Sequence, residues 1–447
     1  MKVQNVAATL VAAFNLCAAP LPGQQPSDTV ARRQQRTLDS LTAALGALRA
    51  RLDSVAAASQ GAMATAMAQP APAPARSGGA YMNVGFVALT DAGTSSASDV
   101  SPILQGDHDP KVRGFTIPNT ELTLDGAVDP YFKGFSNIVF KIDGKGETGV
   151  ELEEAYVLTT SLPANLQLKA GQFFIEFGRQ NSQHPHAWSF LDQPVVMSRM
   201  FGSDGLRSQG LRLSWLAPTP WYSEAMVSVV NSTNGTTFSF RSDASPEIHG
   251  GVAIDRPVLG FRDMLVVPRF TTSFDLTETQ TVVLGASGAF GPNNSGADAK
   301  TAIYGVDAYW KWKSPTAAAG FPFLSLQGEA MYRRYDAARR TSVDAPLVTL
   351  PSQTFADRGA YVQLLWGIKP RIVAGLRADV ATGDSTVFVS AFRGDRLRIS
   401  PNFTWYPTEF SKVRLQYNYD DRKNIATDHS LWVQFEFLLG AHASHKF

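Results

Sequence analysis

Cysteine is nearly missing: the chain of 447 residues has a single one, Cys17. It lies in the apolar run Val6 to Ala19, which follows Lys2 and precedes PLPGQQPSD. This run reads as a secretory signal over residues 1–23, cleaved between about Ala19 and Gln25, so the mature chain has no disulfide, thiol chemistry or cysteine–zinc site. Bulky Leu16 stands directly before Cys17, where a lipoprotein signal wants a small residue. Long apolar runs are missing as well. Past the signal nothing reaches about 18 consecutive apolar residues, which excludes a helical span and leaves a closed barrel as the one way to cross a bilayer. Nor is there a surplus of one charge. The formal net charge is +1, with both signs scattered, which excludes nucleic acid as a main partner. Nucleophile elbows, His-Glu-x-x-His helices and phosphate-cradling glycine loops are absent too, and GASGAF around Gly285 belongs to an alternating strand. The expectation is a protein that is not an enzyme and carries no cofactor.

Three segments follow the signal. Leu38, Leu41, Leu45, Leu48, Leu52 and Val55 recur at alternating spacings of 3 and 4. That is a narrow heptad seam, and it predicts a self-associating coiled coil over residues 30–60. AQPAPAPARSGG, residues 68–79, is a stiff proline spacer released by glycines. From residue 80 to 447 the period changes to two.

Along Thr301 to Glu436, apolar and polar residues alternate on strand after strand. Tyr304, Val306, Ala308, Trp310 and Trp312 oppose Asp307, Tyr309, Lys311 and Lys313, and Leu397, Ile399, Pro401 and Phe403 oppose Arg396, Arg398, Ser400 and Asn402. Charges on one face of nearly every strand are wrong for a sandwich core but right for a barrel with lipid outside and water within. The inward set includes Lys311, Lys313, Arg333, Arg377, Arg396, Arg398, Lys412 and Arg414 against Asp307, Glu329, Asp379, Asp420 and Glu436, with Glu151, Glu153 and Glu176 added from an earlier hairpin. Connections such as LPAN, TETQ, KPR and PTEF are short, whereas Arg179 to Gln209 and Ser232 to Arg262 are long. Short turns on one side and long loops on the other predict an all-β transmembrane antiparallel barrel of about sixteen strands, with both termini periplasmic. The final stretch LWVQFEFLLGAHASHKF alternates to the last residue, Phe447, and must pair with the first strand near YMNVGFVAL at Tyr81 to Leu89 to remove both sheet edges.

ELEEAYVLTTSLPANLQLKAGQFFIEFG, Glu151 to Gly178, resembles the hairpin of the phosphate-selective porin O/P superfamily, through Glu154, Ala155, Tyr156, Gly171, Gln172, Phe177 and Gly178. The helical seam before the barrel is similar to that of DcaP-type members. The resemblance implies a trimeric sixteen-stranded barrel with a constricting third loop. Two departures are Glu176 on the second strand of the hairpin and the lack of an arginine ladder.

The third long loop holds Arg179, His184, His186, Trp188, Asp192, Arg199 and Arg207 and is the candidate constriction. His184 and His186 supply only half a zinc shell, so they are read as loop packing rather than as a metal site, and His442 and His445 lie at the opposite end. The functional expectation is an outer-membrane porin, inserted by the barrel-assembly machinery, homotrimeric, and passing small hydrophilic solutes with a weak preference for anions. Alternatives are a zinc uptake channel using the His184/His186 loop and a structural tether between barrel and cell wall.

Overall fold

The computed structural model describes residues 81–440, apart from 104, 105, 144, 345, 385, 387, 388 and 424. The signal, the heptad seam, the proline spacer, His442, His445 and Phe447 lie outside the described residues.

Sixteen strands close into one antiparallel barrel. They are β1 (Tyr81–Ser95), β2 (Gly114–Ala127), β3 (Phe132–Ile142), β4 (Thr148–Thr159), β5 (Leu166–Phe174), β6 (Arg207–Leu216), β7 (Tyr222–Asn231) and β8 (Met264–Thr277). Then come β9 (Gln280–Pro292), β10 (Lys300–Ala318), β11 (Phe321–Ala337), β12 (Gln353–Lys369), β13 (Ile372–Gly383), β14 (Arg396–Thr408), β15 (Ser411–Arg422) and β16 (Ala426–Gly440). Each pairs with its sequence neighbours, and β16 pairs with β1 from Gly85 opposite Gly440 to Ser95 opposite Ser430. The aromatic last strand therefore has its partner, and no edge is left open.

Period-two alternation sets the faces. On β14, Arg396, Arg398, Ser400, Asn402 and Thr404 are buried while Leu397, Ile399, Pro401, Phe403 and Trp405 are exposed. The same exposed apolar face recurs on β10 at Tyr304 and Val306, on β11 at Leu326, and on β16 at Leu431, Val433 and Phe435. An inside-out barrel of this kind is matched by hydrocarbon around it. Two-residue turns such as Glu278–Thr279, Ala319–Gly320, Pro370–Arg371 and Glu409–Phe410 close one end. The other end carries most of the long connections, above all residues 175–206 after β5 and 232–263 after β7.

The interior departs from the expected water-filled, charged lumen. Residues 175–206 fold inward and form a short helix, Val195–Phe201, every residue of which is buried. Val196, Met197, Met200 and Phe201 pack with Ile175, Phe177 and Leu206 from the same loop, and with inward apolar residues Val230, Leu265, Val267, Ile303 and Met331 from β7, β8, β10 and β11. The lumen thus contains an apolar core of its own, which removes the loop's hydrophobic surface from water.

Candidate functional site

The long loop after β5 crosses the lumen and is clamped to the opposite wall. Arg377 on β13 donates to Asp192 Oδ1 at 2.7 Å and Arg398 on β14 donates to Asp192 Oδ2 at 2.5 Å. Gln416 donates to Asp192 Oδ1 at 2.7 Å, and the backbone N–H of Val195 donates to Asp379 at 3.0 Å. Loop carbonyls are held as well: Lys412 donates to His186 O at 2.6 Å, Arg414 to Trp188 O at 2.8 Å, and Asn402 to Ser189 O at 2.8 Å. Arg199 donates to Phe392 O at 2.8 Å and lies 3.7 Å from Asp357. The carbonyls of His186, Trp188 and Ser189 so find donors on the wall, which a non-helical backbone in this position requires.

The expected lumen cations face inward, but most are engaged rather than free. Arg333 bonds Asp357 at 2.6 Å and the Arg199 carbonyl, Arg396 and Arg398 share Asp420, and Lys412 bonds Glu436 at 2.6 Å. Glu329 accepts from Tyr361 and from the Gln180 N–H, each at 2.7 Å. Two residues fall differently from their expected places. Glu176 is not on a strand, since β5 ends at Phe174; it bonds Lys169 at 2.6 Å and Arg212. Arg207 is not in the loop but opens β6, where it meets Glu151 and Asp204.

The hairpin glycines have physical reasons. A Cβ on Gly178, at φ +61°, would lie 1.9 Å from Glu329 Oε2, and one on Gly171, at φ +135°, would lie 2.2 Å from the Ala155 carbonyl.

Beside the clamp lies a cluster that the alternation rule did not anticipate. Glu154 pairs with Asn137, and Leu152 with the next residue, Ile138, so Glu153 is an extra residue in β4. The bulge leaves two successive carboxylates, Glu153 and Glu154, buried. His184 Nε2 lies 2.9 Å from Glu154 Oε2 and its Nδ1 lies 3.2 Å from Glu153 Oε2. His186 Nδ1 is 2.9 Å from Glu121 Oε2, and the two imidazoles stack at 5.7 Å and 11°. His108, from the loop after β1, reaches Glu153 Oε1 at 2.9 Å. Burial opposes charge on His108, but the hydrogen bond and charge of Glu153, with Asp204 and Asp107 nearby, hold it up at about 9. For His184 burial again opposes, and Glu121, Glu153 and Glu154 together raise it well above the usual imidazole range.

Two cavities flank this cluster. One of about 710 Å³ is bordered by Lys111, Glu151, Arg199, Asp204, Arg207 and Arg333. The other, of about 490 Å³, is bordered by basic Lys169, Arg179, Arg212, Arg269 and Lys311 and by acidic Glu121, Glu154, Glu176 and Glu224. In it, Arg179 donates to Gln327 at 3.1 Å and covers the Tyr309 ring at 4.2 Å, while Lys311 sits 5.2 Å from the Phe323 ring centroid. Lys313, two residues along β10 on the same face, is exposed.

No family model matches the chain. An anion-selective porin from Comamonas acidovorans superposes with a TM-score of 0.51 at 8% identity, covering 81% of this chain and 100% of that one. The outer membrane channel DcaP of Acinetobacter baumannii gives a TM-score of 0.49 at 13% identity, covering 83% and 100%. The first shows that the barrel has the fold of a solved porin. In sequence, an uncharacterized protein of Aquifex aeolicus (strain VF5) is 32% identical over 356 residues, 75% of this chain and 70% of the relative. At that identity and coverage the chain belongs to the same family as the Aquifex aeolicus protein, a family whose barrel, in this member, encloses a loop clamped across its lumen.

Proposed function

We propose that the protein is an outer-membrane porin, a passive diffusion channel for small hydrophilic solutes with a modest preference for anions. The observation that carries this reading is the group Arg179, Lys311 and Lys313. Among the described residues these three form no ion pair, whereas the other basic residues named on the cavity wall are engaged: Lys169 and Arg212 with Glu176, and Arg269 with Asp307 at 2.7 Å. Unpaired cations beside a lumen cavity attract anions. The acids on the same wall and the screening of exposed charge by salt keep the preference weak.

The apolar outer face and closed ladder support a place in the outer membrane, reached through the barrel-assembly machinery, with the N-terminal segment in the periplasm. The heptad seam supports self-association, and the homotrimer is the form that the resemblance implies. A solved protein of this fold is itself anion-selective, which accords with the reading.

Single-channel recording in planar bilayers tests it. The purified barrel is expected to conduct, and Lys311→Glu combined with Lys313→Glu should turn the anion preference into a cation preference. A folded barrel that inserts without conducting would leave the tether in place of the channel.

A further inference from the structure

One wall of the barrel is built unlike the rest. Strands β3 to β7 run for 9 to 12 residues, whereas β10 to β12 run for 17 to 19. The ladder is also interrupted twice there. β2 meets β3 only from Thr120 opposite Phe140 to Ala127 opposite Lys133, so Gly114 to Asn119 has no strand partner on that side. β4 meets β5 only over Ala155 to Leu158, so Thr148 to Glu154 has none. Side chains stand in for the missing strand: Gln172 donates to the carbonyls of Leu152 and Glu153, the latter at 3.1 Å, and Gln209 donates to Gln172.

The two amides face outward. Gln209 is exposed on the face of β6 that carries Leu211, Leu213 and Trp215, and it lies opposite Gln172 in register. Counted along β5 from Leu166 at the short-turn end, at about 3.3 Å per residue and a tilt of about 40°, Gln172 stands about 15 Å up the wall. That height falls inside an apolar band about 25 Å tall. Hydrocarbon offers no partner to an amide or to a carbonyl without a ladder, so lipid is the wrong cover for this wall. Protein is the right one. The surface beside the amides is apolar, with Phe115 86% and Val150 65% exposed, and a groove of about 680 Å³ at the upper ends of β2 and β3 is bordered by Phe115, Ile117 and Ile142. Among the described residues, β2 to β5 turn no Trp or Tyr outward, since Tyr156 packs on the lumen core. The opposite wall exposes Tyr304, Tyr332, Trp366, Trp405 and Tyr417, the residue types that anchor a barrel at lipid interfaces.

We propose that the outer face of β2 to β6 is the contact between copies of this chain. The heptad seam supports self-association, which makes a second copy the occupant. The face has two unlike halves, the apolar groove beside Phe115 and the amide pair at Gln172, as a contact that closes a ring of copies requires. The Phe115 half of one copy meets the Gln172 half of the next. This inference rests on the membrane placement proposed above, and its test does not involve conduction.

The test places nitroxide labels on single cysteines, on a Cys17→Ala background, in the full-length protein reconstituted in phosphatidylcholine vesicles. Relaxation by lipid-dissolved oxygen reads which wall meets lipid, and crosslinking of the same vesicles reads association. Leu152→Cys, Gln209→Cys and Leu211→Cys are expected to be several-fold less accessible to oxygen than Val306→Cys and Leu397→Cys. If Gln209→Cys does not insert, the Leu152 and Leu211 variants decide. A crosslinked oligomer with equal access on both walls, or with Val306 and Leu397 protected instead, overturns the assignment of the face. Single barrels that do not crosslink overturn the contact altogether. Neither result touches the channel reading, which conductance decides.

Discussion

Asp192 accepts hydrogen bonds from Arg377 and Arg398 at 2.7 and 2.5 Å, and all three side chains are buried. One carboxylate on a loop that begins after β5 thereby holds two guanidiniums on β13 and β14, across the lumen. Removing it leaves the two guanidiniums buried beside each other with one carboxylate each, Asp379 at 2.8 Å from Arg377 and Asp420 at 2.8 Å from Arg398. Asp192→Ala should cost about 3–5 kcal/mol, the range for breaking a buried ion pair, and should free the loop. Denaturant unfolding measures the first effect. Faster proteolysis between residues 175 and 206, with a noisier single-channel current, reads the second.

Gly178→Ala should lower the melting temperature and disturb conduction together. The new methyl group meets Glu329 Oε2 at 1.9 Å and the backbone is held at φ +61°, a conformation that disfavours side chains by about 1–2 kcal/mol. Glu329 must move, and it releases the Gln180 N–H that anchors the start of the crossing loop. A variant with wild-type melting and wild-type current would show that the loop has no need of this anchor.

His249 links the long-loop end to pH. It lies in the loop after β7, stacks on Tyr335 at 5.6 Å, donates from Nε2 to Asn294 Oδ1 at 3.2 Å, and accepts from the Gly251 N–H at Nδ1, at 3.1 Å. Burial, joined by the charges of Arg340 and Arg393 and opposed by the Asn294 bond, lowers its pKa from 6.5 to about 4. Protonation at Nδ1 also breaks the Gly251 bond. Because the folded value lies below the unfolded one, the stabilisation is complete above pH about 6.5 and is lost as pH falls toward about 4, up to about 3 kcal/mol in total. Loop proteolysis or hydrogen exchange across this window should rise in wild type and stay level in His249→Gln.

The barrel was legible because its signal is local. Leu397 and Arg398 announce opposite faces in adjacent positions, and PTEF and TETQ mark turns without reference to anything distant. What the lumen holds was less legible. Val230, Leu265 and Val267 sit in runs that are apolar on both faces, so alternation fades where the inner wall serves as the floor for Met197 and Met200. That fading was itself the available signal. Glu154 was hidden by the bulge at Glu153, which breaks the period of two for a single residue. The partners of Asp192 lie 185 and 206 positions away, and no spacing rule connects them. The stacked histidines could be named from the loop alone, but not the three carboxylates around them, which come from two strands.

Residues 30–60 provide a separate expectation that rests on their heptad seam. Deleting them should leave a folded barrel and weaken self-association, since the proline spacer separates the seam from β1. Crosslinking of both forms reads the outcome, and an unchanged trimer yield would remove the coiled coil from the assembly.

The central claim is that most inward basic residues are consumed in clamping the loop, so that a small unpaired group, Arg179, Lys311 and Lys313, sets selectivity. Reversal potentials across a potassium chloride gradient test it most directly. A modest anion preference at low salt that fades at high salt is the predicted result. Strong cation selectivity, or strong anion selectivity that persists at high salt, would contradict it.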